Sequence, residues 1–219
     1  MRAAPSACAS LRLLNTKFWG MATYGHSSMS LLTPPGLLNA GRWRGLRIGL
    51  FGGSFNPAHA GHRHIAKLAL VECKLDFVWW LVTPQNPLKQ RAGMAPYQER
   101  FASVEDIIAG HPRMIATHLE VQLGTSYTYD TVRALLRHYP HTEFTFICGM
   151  DNAHIFHRWD RWRELADLIP VVFIARPPAG GLVRSCPASM VDHPNIRFVR
   201  SAKMMDISST AIRNSLLKQ

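Results

Sequence analysis

The chain has 219 residues, enough for one α/β domain with an appendage and a core of its own, and nothing repeats at the periods of a solenoid. A formal net charge of +11 and a pI near 10.1 suggest polyanionic partners, yet the excess is uneven: the first acidic residue is Glu72. Apolar stretches in the amino-terminal segment fall well short of the ~18 residues that would span a membrane.

Residues 1–45 contain Pro5, Pro34, Pro35 and scattered Arg2, Arg12, Lys17, Arg42 and Arg44. They read as a disordered basic extension, so the folded domain is expected over 46–219. An organelle transit peptide has the same acid-free, Ser-containing composition, and Met21 and Met29 are alternative starts; a dispensable extension is the expectation. Without it the remaining charge is only mildly basic, which weakens a nucleic-acid reading. Cys8, Cys73, Cys148 and Cys186 form no CxxC pair, which argues against a disulfide framework or a zinc ribbon and for a reducing compartment.

Residues 46–51 (LRIGLF) read as a buried parallel strand, after which Gly52 and Gly53 are expected to turn the backbone sharply with N–H groups outward. From Gly61 onward Ile65, Leu68 and Ala69 have helical spacing. His59 and His62 therefore sit at or just before a helix N-terminus, where unpaired N–H groups and the dipole favour an anion. Two imidazoles there add donors for a reacting phosphate; the alternative is that they cap the helix. The stretch GGSFNPAHAGH fits neither GxGxxG nor a Walker P-loop.

Residues 77–82 (FVWWLV) make a second strand buried on both faces, ended by the prolines of 83–89 (TPQNPLK) at a carboxyl edge where such sheets bind ligands. Lys89 is either a solvated loop cation or a phosphate contact. A packing helix over 97–109 carries Phe101, Val104 and Ile108, and 113–118 is a short strand. SYTYDT (126–131) opens a helix through Val132, Leu135 and Leu136, with Ser126 or Thr128 as N-cap and Asp130 in the first turn. Residues 144–148 form the next strand. Asp151 follows it and could hold a ribose hydroxyl or help retain a metal; alternatively it caps a helix over 152–157. Trp162 reads as core. His154 and His157 lie one turn apart but lack a third metal ligand. Strands over 168–175 and 196–199 flank a Gly, Pro and Ser-rich surface loop at 179–190.

Finally, 207–213 (ISSTAIR) sets Ser208, Ser209 and Thr210 where a helix through Ile212, Leu216 and Leu217 starts. Arg213, leaning back toward that start, would complete a second anion cup with Ser209 and Thr210. Two such cups roughly 150 residues apart suggest one polyphosphate held from both ends.

The HxGH of His59 to His62, with GSFNP before it, resembles the nucleotidyltransferase superfamily of adenylyltransferases, and GGSFNPxHxGH is most similar to its nicotinate mononucleotide branch. ISSTAIR resembles that family's ISSTxIR; SYTYDT, the GxD ending at Asp151, and Trp159 fit the same branch. The resemblance covers roughly 46–217. It implies an α/β Rossmann-like nucleotidyltransferase fold, a mostly parallel sheet with helices on both faces, and adenylyl transfer from ATP to nicotinate mononucleotide giving deamido-NAD and pyrophosphate.

The resemblance also assigns roles. His59, His62 and Arg213 are implied in catalysis; Gly52, Gly53, Ser54, Phe55, Lys89, Ser208, Ser209 and Thr210 join them in binding ATP. Asn56, Ser126, Tyr127, Thr128, Asp151 and Trp159 are implied at the nucleotide substrate, with Trp159 stacking on the pyridine ring. Mg²⁺ would arrive with ATP, and no protein metal site is expected. The attacking phosphate is already ionised at neutral pH, so no general base or covalent nucleophile is required. The expected partners are ATP and nicotinate mononucleotide, with a homo-oligomer possible and neither nucleic acid nor membrane, in the cytoplasm. Pantetheine-phosphate adenylyltransferase shares both cups and is the alternative within the class; a non-catalytic RNA-binding protein is the alternative outside it.

Overall fold

The computed structural model describes residues 33–84, 93–175 and 186–200. Six strands, β1 (Arg47–Gly53), β2 (Phe77–Val82), β3 (Met114–Thr117), β4 (Glu143–Gly149), β5 (Val171–Ala175) and β6 (Ile196–Arg200), form one sheet in the order β3-β2-β1-β4-β5-β6. Every neighbouring pair is parallel. Parallel pairing requires crossovers, and the crossovers place helices on the sheet faces, which is why FVWWLV and VVFIA are apolar at every position.

Helices α1 (Ala60–Glu72) and α2 (Tyr97–Ile108) cover one face, where Ile65, Ala69, Phe101 and Val104 pack on Phe51, Val78, Trp80, Ile147 and Val172. A short helix, α3 (Leu119–Leu123), follows β3. The opposite face is covered by α4 (Thr128–His138), α5 (Met150–Ile155) and α6 (Trp162–Leu168), with Val132, Leu135, Ala153 and Leu165 against Ile48, Leu50, Trp79, Phe146 and Phe173. Trp162 is buried with them, as expected of a core residue.

The details depart from the sequence reading in four places. First, β1 continues through Gly53, whose register partner is Val82, so the glycines belong to the strand and not to the turn. Second, the chain is already packed ahead of residue 46: Trp43 is buried edge-on against Phe77 and Trp79, its carbonyl accepts from Thr142, and Tyr139 donates to the Gly36 carbonyl. Third, α6 extends through Leu168, so the strand expected from 168 starts only at Val171. Fourth, α4 is capped by Tyr127 with no side-chain cap bond, so neither Ser126 nor Thr128 is the N-cap; Asp130 does lie in the first turn.

Candidate functional site

In the strand order the direction of winding reverses between β1 and β4, and parallel sheets open a ligand crevice at the carboxyl ends of such a pair. The segment carrying His59 and His62 leaves β1 at this point, and Gly149-Met150-Asp151 leaves β4 there. The histidine stretch and the Gly-Met-Asp stretch thus leave the sheet at one edge because of topology.

The turn after β1 is built by side-chain crowding. A Cβ on Gly52 would sit 2.9 Å from Cζ of Phe146, and one on Gly53 would be 3.0 to 3.3 Å from three atoms of the Phe55 ring. Neither glycine has a positive φ; the left-handed residue is Phe55, at φ 44°. For a residue with a Cβ that conformation costs about 1–2 kcal/mol. The Phe55 ring offsets this by burying itself among Phe51, Trp80 and His62, with centroids 5.4, 5.0 and 5.1 Å away. Its side chain therefore faces the core, leaving only its backbone for a ligand. Ser54 is buried too, and its Oγ has no partner among the described residues.

His59 is the N-cap of α1 and His62 is its third residue, and they cap reciprocally. Nδ1 of His59 accepts from the Gly61 N–H at 3.1 Å, and Nδ1 of His62 accepts from the His59 N–H at 3.2 Å. Their rings lie 3.8 Å apart at 33°. A backbone N–H can only donate, so each Nδ1 bears the lone pair and each neutral ring carries its proton on Nε2. The capping alternative is thus realised, and it is also what sets the tautomer in which Nε2 is a donor.

Arg100, 2% exposed, braces this turn from beneath. Its guanidinium donates to the carbonyls of Ser54 (2.7 Å), Thr83 (2.8 Å), Pro84 (2.9 Å) and Ala95 (3.0 Å). Burial without a carboxylate partner lowers its pKa, yet four carbonyl dipoles hold the fork in place. Asn56 adds a second brace: its amide donates to the Gly93 carbonyl and its Oδ1 accepts from the Ala95 N–H. Its side chain thus closes on the chain that returns from the β2 loop, beyond the substrate contact expected of it.

Across the crevice Asp151 is exposed in the first turn of α5, whose N-cap is Gly149, so the carboxylate is not a cap. Trp159 is half-buried, edge-on to Phe146 at 5.9 Å and to Phe156 at 5.4 Å. Phe146 is also the residue crowding Gly52, which ties Trp159 to the end of β1 through one ring. Ser126 and Tyr127 are exposed and Thr128 half-buried ahead of α4. Lys89, Ser208, Ser209, Thr210 and Arg213 lie outside the described residues, as does the second anion cup.

One charged group here had no place in the sequence reading. Glu120, in the first turn of α3, is 7% exposed, and its Oε2 has no partner among the described residues. Burial pushes its pKa up to about 7, against the lowering effect of the Thr83 and Thr131 hydroxyls. The signal was present: Glu120 is the one acid between Asp106 and Asp130, next to the fully buried Leu119. Among the described residues no group of three or more His, Cys, Asp or Glu is placed to hold a metal, and no helix is long and apolar enough to cross a membrane.

Residues 50–215 match the cytidylyltransferase-like family. A Cereibacter sphaeroides protein named "Probable nicotinate-nucleotide adenylyltransferase" is 42% identical over 179 residues, covering 76% of this chain and 96% of the relative. A Rhizobium johnstonii protein of the same name is 40% identical over 188 residues, covering 78% and 94%. Among solved structures, the Plasmodium falciparum nicotinic acid mononucleotide adenylyltransferase complexed with NaAD superposes with a TM-score of 0.63 at 19% identity, over 77% of this chain and 83% of that one. This last likeness bears on the fold.

Proposed function

Since the chain belongs to the cytidylyltransferase-like family and, within it, to the nicotinate-nucleotide adenylyltransferases, we propose that it transfers the adenylyl group of ATP to nicotinate mononucleotide. A phosphate oxygen of the mononucleotide attacks the α-phosphorus of ATP, the bond from that phosphorus to the bridging oxygen breaks, and deamido-NAD and pyrophosphate leave. The nucleophile is already an anion, so the protein has to align two polyanions in line and neutralise the charge that gathers on the leaving pyrophosphate.

The observation that carries this reading is the reciprocal His59 and His62 cap at the switch point between β1 and β4. Because the cap consumes both Nδ1 atoms, the two Nε2–H groups are the donors for phosphate oxygens, aided by the N-terminal N–H groups of α1. Ser54, together with the backbone of Gly52, Gly53 and Phe55, completes the near side of the ATP site. Lys89, Ser208, Ser209, Thr210 and Arg213 supply the far side. Asn56, Asp151, Trp159 and 126–128 serve the mononucleotide, with Trp159 against the pyridine ring. Mg²⁺ would enter as part of the ATP substrate and help neutralise its phosphate charge.

Chromatographic product analysis tests the proposal. Purified protein with MgATP is expected to convert nicotinate mononucleotide to deamido-NAD with release of pyrophosphate. Nicotinamide mononucleotide and phosphopantetheine are the competing acceptors; turnover confined to phosphopantetheine would reassign the enzyme to the pantetheine branch. Deleting residues 1–32 sets the RNA-binding alternative apart, because heparin affinity should fall while adenylyl transfer continues. The cut stops short of residue 45 because Gly36 and Trp43 are bonded to the domain and Trp43 is part of its core.

A further inference from the structure

The stretch from Ser54 to Ala58 is held from the α2 side at every second residue. The Ser54 carbonyl accepts from Arg100 at 2.7 Å. Asn56 bonds the Gly93 carbonyl at 2.9 Å and the Ala95 N–H at 3.1 Å, just ahead of α2, and the Ala58 N–H donates to Oγ of Ser103 at 3.0 Å. Arg100 and Ser103 stand three residues apart and share one face of α2. That face therefore grips both ends of the stretch that leads into His59.

Proton counting fixes what Ser103 does. Its hydroxyl has one proton, which goes to the Arg100 carbonyl at 2.7 Å. A backbone N–H can only donate, so the Ala58 amide takes a lone pair of the same oxygen. Bonding the carbonyl one helical turn back holds the hydroxyl in place, and the oxygen becomes a fixed acceptor. Ala58 precedes His59, whose extended backbone (φ −152°, ψ 170°) opens the reciprocal cap. Where the Ala58 amide sits thus determines where the cap begins and, through it, where the two Nε2–H groups lie.

We propose that Ser103 is a positioning residue for adenylyl transfer: its hydroxyl, locked on the Arg100 carbonyl, anchors the Ala58 N–H and so places the His59 and His62 donors against the phosphates of ATP. The inference rests on the reading that these imidazoles serve the phosphates. Ser103 acts through backbone, since its side-chain bonds among the described residues go to Ala58 and Arg100. Arg100 secures the other end of the stretch, but removing its guanidinium also strips the carbonyls of Thr83, Pro84 and Ala95. Ser103 bears on the histidine turn alone, which makes its contribution separable. Misplacing a preorganised donor costs rate more than ground-state binding, because the donor is aimed at charge that develops in the transition state.

The test is steady-state kinetics of the full chain, with kcat and separate KM values for ATP and nicotinate mononucleotide, at a temperature well below the melting transition of every variant. Ser103→Ala removes the acceptor of the Ala58 N–H, and kcat should fall about ten-fold while both KM values stay within about two-fold of wild type. Ser103→Thr keeps a hydroxyl able to bond the same carbonyl in a helix, and kcat should return to within about two-fold of wild type. Placed in a His62→Ala background, Ser103→Ala should lower kcat by about three-fold or less, because one of the donors it positions is gone. A kcat for Ser103→Ala within two-fold of wild type overturns the positioning role, as does a loss that Ser103→Thr does not restore. An undiminished ten-fold loss in the His62→Ala background overturns it too, since the effect then bypasses the histidines. Failure of the wild type to form deamido-NAD would instead overturn the function on which the inference rests.

Discussion

The turn after β1 and the segment leading into α4 are held by different means. In the first, imidazole, amide and guanidinium side chains bind backbone groups: His59 and His62 cap each other, Asn56 clips two backbone groups and Arg100 reaches four carbonyls. In the second, the hydroxyls of Thr125 and Thr131 bond each other, Thr131 donates to the Tyr127 carbonyl, the buried carboxyl of Glu120 lies in the preceding helix, and no side chain caps α4. On the proposed function the first, a rigid wall of backbone contacts, is the polyphosphate side, and the second, beside a buried carboxyl whose pKa is raised, is the pyridine-nucleotide side.

The largest effect is expected on the rigid wall. Arg100→Met takes the donor from four carbonyls, that of Ser54 in the interior, and should destabilise the protein by about 3–5 kcal/mol, measured by chemical denaturation. Arg100→Lys should recover only part of this, because an ammonium lacks the planar fork. Stability unchanged in Arg100→Met would erase the distinction between the walls.

Next comes His62→Ala, expected to lower kcat by roughly 10²–10³ through loss of one preorganised donor, and to cost about 1 kcal/mol of stability through loss of the cap. Arg213→Ala should match it in kcat. Near-normal turnover in both would remove the phosphate role from the two cups.

On the titrating wall, the Glu120 pKa lies at about 7 in the fold and at 4.5 by ordinary value. Between these the folded state holds more protons than the unfolded, so stability falls as pH rises from about 4.5 to about 7 and is flat above that. The drop attributable to Glu120 is up to roughly 3 kcal/mol, and Glu120→Gln should abolish it in denaturation curves taken across that window. An unchanged slope would show that another group carries the titration.

The smallest effect is expected from Trp159→Ala, with the mononucleotide KM rising by roughly 1–3 kcal/mol of lost stacking and the ATP KM unmoved. Trp159→Phe should restore part of it. An equal change for ATP would place Trp159 on the other wall.

Much of this was legible along the chain. Continuous apolar runs such as FVWWLV mark strands covered on both faces, the helical spacing of Ile65, Leu68 and Ala69 marks α1, and His59 and His62 fall at its start through spacing alone. Glu120 was not legible, because its burial comes from packing by other elements. Phe55 was missed as the left-handed residue because its strain is offset by an aromatic cluster from β1, β2 and α1, and a neighbouring pair of glycines drew the turn to the wrong place.

What the amino-acid order determined by itself is local: period, capping chemistry and the proton-bearing nitrogens follow from residues within one turn of each other. What only the tertiary structure decided is which distant groups share a buried space. The reversal of winding between β1 and β4 sets the histidine turn beside Asp151 and Trp159, the packing of α2 brings Arg100 under Ser54, and the meeting of β2, α3 and α4 encloses one carboxyl. Desolvation then sets how that carboxyl titrates, and no single stretch of sequence carries it.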